Sequence, residues 1–586
     1  MQNALKLFRK QPDGSYAAKV TNPDAYKIIL KNTSAGLSFR QTAEVMSQYN
    51  EVFGLAKLVG VNANEVGKMV RINVAANLQG ISDILSDKEV WSFSLAADGS
   101  THQGTSFFDV RLQLCVRGYL YNIHLACVPF LERHSAKNIT DMVCKLVVNL
   151  CNAWRSKLIS VSTDGENTMT GWLGGFITLM DKEAAYDVLR IWCPPHQMDL
   201  VIKNNATLQV GGGSFANTTH SFTVHLRKQM NLQLEMGSKC PKNTNRWAHF
   251  QGQLQWLLDH HVRLLQWIIA SKLPSSPTTA YWIVAAAINP LAKACNSAFV
   301  MLQKGDLVLS QQTAEIEQLV QNLREQVGIR HEYDDVRMMG NNRMQNSLYE
   351  NGPWWTTHDA VLVHIKDQGS WVKNMYLSLD ADGQIYVLRQ VGDYALHLVR
   401  GLSVVQAERD YRNNAAAELA PPVFPQQLTK MRTSTFIEYV LDSRREMMIA
   451  AWGRNAVDLI EQEHRALVEA IRESPKLKKV VSAHTYKTSF DDAWDALPPK
   501  PVLTHLRAFC GGLATAFANT TSVESDFSIL KCEEDPHRSC LMALSVEGIF
   551  QTKQHAVIHE MLARMAPAPL NEAEGSGSAS VSEVDI

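Results

Sequence analysis

Two apolar runs in this chain end in a carboxylate: WSFSLAAD (91–98) closes on Asp98, and LISVST (158–163) runs into Asp164, with glycine following each aspartate. Carboxylates at the ends of neighbouring strands can share a hard divalent cation, because Mg2+ (or Mn2+) takes oxygen ligands and accepts few of them from protein. Two such ions about 3.5–4 Å apart would activate water and stabilise the leaving oxygen in phosphodiester cleavage. The pairs Asp98-Gly99 and Asp164-Gly165 equally fit ordinary turn chemistry, so spacing alone leaves both readings open. A third carboxylate, Glu524, sits in TSVE (521–524), which also fits a capping box in which the glutamate returns to its own helix start.

Other residue sets are weaker. His196 lies three residues after Cys193 in CPPHQMDL, and Cys532, His537 and Cys540 form a second incomplete group. A structural zinc site needs four ligands, so packing is the better reading of both. Arg246-Trp247 follows a basic run containing Arg227, Lys228, Lys239 and Lys242. Such cations can neutralise phosphates while an exposed aromatic stacks on an unpaired base, and the bland alternative is a solvated face with Trp247 turned inward.

The elements that would position these groups are readable from periodicity. Phe108, Val110, Leu112 and Leu114 alternate with Asp109, Arg111 and Gln113, a period of two, and Arg117-Gly118 makes a tight connection to the β-rich run 119–129. Ile139, Met142, Val143, Leu146, Leu150 and Trp154 then fall on one helical face, before LISVST, a helix from Asn167, VLRIWC (188–193) and a helix after His196. The order βββ-α-β-α-β-α is that of an α/β ribonuclease-H-like core, a mixed five-stranded sheet with flanking helices. From 215 to 500 helical windows dominate, with one β-like stretch at 383–391, so a large all-α insertion domain is expected to interrupt the core. The expected divisions are a small helical region at 1–75, the first part of the core at 76–214, the insertion at 215–500, the last part of the core with a dimerisation region at 501–565, and a disordered acidic Ser/Gly tail at 566–586.

Composition bounds the function classes. With 46% hydrophobic and 20% charged residues over 586 positions, the chain has ordinary globular character, and its net charge of -1 offers no whole-chain basic field for nucleic acid. Ten cysteines without a CxxC pair suggest a reducing compartment. The apolar stretch AYWIVAAAI (280–288) is too short to span a bilayer, so no membrane partner is expected.

Taken in order, five blocks resemble the hAT superfamily of DNA transposases and their domesticated relatives: the segment 96–139 with Glu132, Arg133 and His134 near its end; STDGENTM (162–169); CPPHQMDLVIKN (193–204); Arg246-Trp247; and TTSVESDFSIL (520–530) followed by LSVEGIFQTKQH (544–555). The resemblance implies a DDE-type catalytic domain in which Asp98, Asp164 and Glu524 bind Mg2+ (or Mn2+). It further implies DNA as partner for cleavage and strand transfer, with Trp247 stabilising a displaced base and Arg246 and His196 near the DNA. A homo-oligomer formed through the late region and a nuclear location follow from the same likeness. Two departures stand out: residues 1–90 contain no cysteine, so no zinc finger is detected, and Ser525 replaces the arginine that usually follows the glutamate. The alternative expectation is a non-catalytic nuclear DNA- or protein-binding dimer that keeps the fold.

Overall fold

The structure is a computed structural model describing residues 9–10, 12, 16–18, 20, 22–54, 60–242, 246–273, 276–332, 347–405, 420–485, 487–533 and 543–566. It divides into two compact units, Met1–Ile191 with Pro421–Ile586, and Trp192–Ala420.

The first unit is built on five strands, β1 (Phe93–His102), β2 (Thr105–Val116), β3 (Tyr119–Pro129), β4 (Leu158–Thr163) and β5 (Leu189–Trp192), in the spatial order β3-β2-β1-β4-β5. Two-residue turns set the hairpins. Gln103-Gly104 and Arg117-Gly118 all take positive φ, the conformation whose twist matches that of the flanking strands. β1 runs antiparallel to β2 and parallel to β4, while β2 and β3 pair antiparallel around an irregularity between Val110 and Arg111.

Both faces of this sheet are covered. On one, Phe93, Leu95, Ala97, Phe108, Val110 and Leu112 meet α1 (Ala63–Ser86), α2 (Ala136–Leu150) and α3 (Phe176–Glu183), through residues such as Ile84, Val143 and Phe176. Burying each large apolar side chain here contributes about 1.5–3 kcal/mol. Helix α4 (Arg454–Glu473) packs on α5 (Thr504–Ala514), which lies against β2. The opposite sheet face, carrying Ala96, Phe107 and Cys127, is closed by Val523, Phe527 and Leu530 of α6 (Thr521–Glu533) and by Val546 and Phe550 of α7 (Ala543–Met565). Further along α7, Ile558 and Met561 join the first core, so one helix serves both clusters beside the edge strand β3.

Close approach of α5 depends on glycine. A Cβ built on Gly512 would overlap the indole of Trp91, whose Nε1–H donates to the Ala508 carbonyl and whose ring stacks on Phe509. Gly512→Ala is therefore expected to destabilise the protein by about 1–3 kcal/mol, read as a lower urea midpoint.

A buried histidine in the same unit sets an acid limit. His464 is fully buried and stacked on Phe436 at 4.2 Å, with Nε2–H donating to the Leu428 carbonyl; burial pushes its pKa down to about 4. Since the unfolded chain takes up the proton near 6.5 and the folded chain near 4, this contribution is whole above pH 6.5 and lost as pH falls toward 4. The loss is on the order of 3 kcal/mol at about 1.4 kcal/mol per pKa unit. His464→Gln should flatten the pH dependence of unfolding between pH 6.5 and 4.

The second unit is mainly helical, and it corrects several expectations. The segment 383–391 is part of a helix, Ala381–Ser403, because Val387, Leu388, Val391, Ala395 and Leu398 repeat at helical spacing and are buried. Three short strands, Arg330–His331, Ser347–Asn351 and Trp354–Thr357, form a small antiparallel sheet where only helix was expected. Its hairpin turns at Gly352 with φ +63, directly after Asn351. The apolar stretch 280–288 belongs to a 24-residue helix, Thr279–Leu302, long and apolar enough by length and composition to cross a membrane, with 61% of its most apolar window buried in the fold.

The second unit also begins and ends before the expected segment 215–500. Residues after 420 join the first unit through contacts such as Arg444 to the Asp187 carbonyl and the Trp452 Nε1–H to the Lys88 carbonyl. The expected tail, apart from Ala566, lies outside the described residues, as do His537 and Cys540.

Candidate functional site

Asp98 lies on β1, and Asp164 stands immediately after the last residue of β4. The last registered pair of the parallel ladder is Ala96 with Ser162. Two residues further on each strand come Asp98 and Asp164, on neighbouring strands at the same end of the sheet. Because side chains alternate, Asp98 shares the face of Ala96. That is the face against which α6 packs through Val523 and Phe527. Glu524, beside Val523 in sequence, is therefore carried by the helix that covers the face bearing Asp98. All three carboxylates are half-buried.

The local reading of Glu524 changes in the structure. Its amide donates to the Thr520 carbonyl at 3.2 Å and the helix opens at Thr521, so Thr520 takes the N-cap position and Glu524 falls one residue beyond the capping-box glutamate. The helix start thus lies one residue earlier than the capping-box reading placed it. Asp164 retains a turn-like feature, since its Oδ1 accepts from the Glu166 amide at 3.4 Å. The donor set is all-carboxylate, which fits a hard oxygen-seeking cation such as Mg2+.

Directly beneath these groups lies a buried charged network that the sequence did not reveal. Asp109, the register partner of Asp98, is fully buried and has His124 Nδ1 at 3.2 Å. The same nitrogen lies 3.1 Å from Asp526 Oδ2, and His124 Nε2 lies 3.1 Å from Glu547 Oε2. Arg111 Nη1 donates to Asp526 at 2.6 Å, and its Nε donates to the Asn122 side chain. Three carboxylates from β2, α6 and α7 thus converge on one imidazole and one guanidinium from the sheet.

Their ionisation follows from burial set against neighbours. Burial pushes Asp109 up to about 7, against the pull of His124 and Arg111. Burial alone would lower His124, but Glu547 and Asp109 hold it well above its usual range. Burial raises Asp526 and Glu547, but His124, together with Arg111 for Asp526 and with the Cys127 amide and Gln551 for Glu547, brings both below the ordinary carboxylate range.

The sequence signal for this network was present but unpaired. Asp109, Arg111 and Gln113 form the polar side of an alternating strand, which ordinarily faces water; here Asp109 is 0% and Gln113 5% exposed, because α5, α6 and α7 cover that side.

His196, Arg246 and Trp247 belong to the second unit. Cys193, Pro194 and Pro195 start the helix Pro194–Asn204, which places the half-buried His196 in its first turn. That helix packs against the short turn Trp247–His249, so His196 and the Arg246-Trp247 pair sit on neighbouring elements. Trp247 is half-buried and its ring lies 6.0 Å from Phe250. Cys193 is buried and Cys532 exposed, and neither forms a disulfide among the described residues. In comparisons with known proteins, no family model matches the chain and no curated protein matches it.

Proposed function

We propose that the chain is a hAT-type transposase or transposase-derived protein with a ribonuclease-H-like core, in which Asp98, Asp164 and Glu524 hold Mg2+ (or Mn2+) for DNA cleavage and strand transfer. One observation carries the reading: the parallel register sets Asp98, within β1, on the strand next to Asp164, just past the end of β4, and the glutamate comes from the helix covering the face of Asp98. The strand order β3-β2-β1-β4-β5, with the first three strands antiparallel, supports the core assignment.

Bound divalent ions supply water activation and stabilisation of the leaving oxygen. The chain's own residues do the positioning. Asp98 sits within β1 and Asp164 just past the end of β4, both pinned by the sheet, and α6, which carries Glu524, packs on the Ala96 face. In the second unit, Arg246 and His196 would meet phosphate oxygens and Trp247 would stack on a displaced base. Dimerisation through the late helices and a nuclear location belong to this same proposal.

A second reading, a non-catalytic DNA- or protein-binding dimer, is favoured by one residue: Ser525 stands where the family signature has arginine. The two are separated by incubating the full chain with a panel of duplex, branched and hairpin DNAs, with Mg2+ or Mn2+ and with EDTA. Cation-dependent cleavage absent from Asp164→Asn supports the enzyme. DNA retention in a gel-shift assay without cleavage of any substrate supports the binding role.

A further inference from the structure

We infer that Asp109, His124 and Asp526 form a site for one structural divalent ion of the zinc class, separate from the carboxylates of Asp98, Asp164 and Glu524. One donor atom from each of the three side chains lies within 4.8 Å of the others, and all three residues are buried. His124 Nδ1 stands 3.2 and 3.1 Å from the two aspartate oxygens. Those separations are close to the roughly 3.3 Å between donors that bonds of about 2.0–2.1 Å in tetrahedral geometry produce.

A second, independent observation points to a ligand. Asp109 is 0% exposed; its Oδ1 faces His124 Nδ1 at 3.2 Å, and its Oδ2 has no hydrogen-bond partner among the described residues. Leaving an oxygen of a buried carboxylate unsatisfied is costly, and such atoms are ordinarily hydrogen-bonded, paired or bound to a metal. Asp109, His124 and Asp526 supply three donors, and the second oxygen of Asp109 can add a longer fourth contact as a bidentate carboxylate.

The surroundings fit the same assignment. Glu547, 3.1 Å from His124 Nε2, can accept that nitrogen's proton in a hydrogen bond and leave the Nδ1 lone pair facing the two aspartates. A carboxylate behind the imidazole is the usual means of orienting a metal-binding histidine. An imidazole with carboxylates suits zinc, whereas Mg2+ favours oxygen throughout. The charges also close: with the imidazole neutral, Asp109, Asp526 and Glu547 against Arg111 leave two negative charges, which one divalent ion cancels. Held between β2, β3 and α6, the ion would fasten a late helix to the sheet.

The test is metal counting on the full chain, stripped with EDTA, incubated with ZnCl2 and passed through a desalting column. The expected result is one retained zinc per chain in the wild type and in the triple variant Asp98→Asn/Asp164→Asn/Glu524→Gln, and none in Asp109→Asn or His124→Gln. X-ray absorption of the wild type should show nitrogen and oxygen donors with one imidazole. No retained zinc in the wild type would overturn the assignment, as would zinc kept by Asp109→Asn but lost from the triple variant. Should the network variants fail to fold, the wild-type spectrum decides: a sulfur donor, or no imidazole, overturns it.

Discussion

Asp98→Asn, Asp164→Asn and Glu524→Gln are each expected to lower cation-dependent DNA cleavage by roughly 100-fold or more, the scale on which a lost electrostatic stabiliser of a transition state is felt. The same changes are expected to leave the thermal midpoint unchanged or raise it. Without a cation, carboxylates gathered at one sheet end repel one another, and Asp98 faces Asp109 across the β1–β2 ladder as well as neighbouring Asp164. Neutralising one of them relieves that repulsion. Cleavage rates on the best substrate of the panel, set beside unfolding curves in EDTA, check both halves. A large loss of stability in Asp164→Asn, with its Oδ1 on the Glu166 amide, would mark Asp164 as a structural turn residue instead.

Arg111→Met is expected to give the largest stability loss of any single change discussed, about 3–5 kcal/mol, because it leaves buried carboxylates short of a cation. Arg111 is 13% exposed at its side chain and its partner Asp526 5%, so water cannot replace the missing guanidinium easily. The loss should be far from additive. Asp526→Asn alone removes a charge that Arg111 and His124 both need, whereas Arg111→Met with Asp526→Asn removes one charge of each sign. A double-mutant cycle by urea unfolding is therefore expected to show a coupling of about 1–3 kcal/mol. Strict additivity would mean that the pair contributes little to holding α6 against the sheet.

The sheet was legible because its signals are local. The run LISVST coincides with β4, and the alternation from Phe108 to Leu114 lies wholly within β2. The Arg117-Gly118 turn is equally visible, since two consecutive residues carry the whole conformational requirement. What escaped was anything decided by distant chain. The polar positions of β2 and β3 find their partners in Asp526 and Glu547 more than 400 residues later, and nothing near Asp109 or His124 announces that they are buried. The stretch 383–391 misled for a related reason: its valine and tyrosine suit a strand, while the helical repeat that decides the matter extends past residue 391 to Leu398 and Leu402. For the site, Asp98 and Asp164 stood out as carboxylates after apolar runs, although β1 carries on past Asp98 to His102, whereas nothing near Glu524 shows that its helix covers the face of Asp98.

The sheet's charged face is completed by chain made long after the sheet itself. Arg111 and Asp526 are 415 residues apart. At synthesis rates of about 5–20 residues per second, roughly 20–80 s separate the appearance of the two partners. Throughout that interval β2 and β3 can pair, but Asp109, Arg111 and His124 face solvent with no helix above them. A nascent chain is thus obliged to wait in a wet, half-roofed state, open to chaperones, and it gains its third acidic side chain only when the roof arrives.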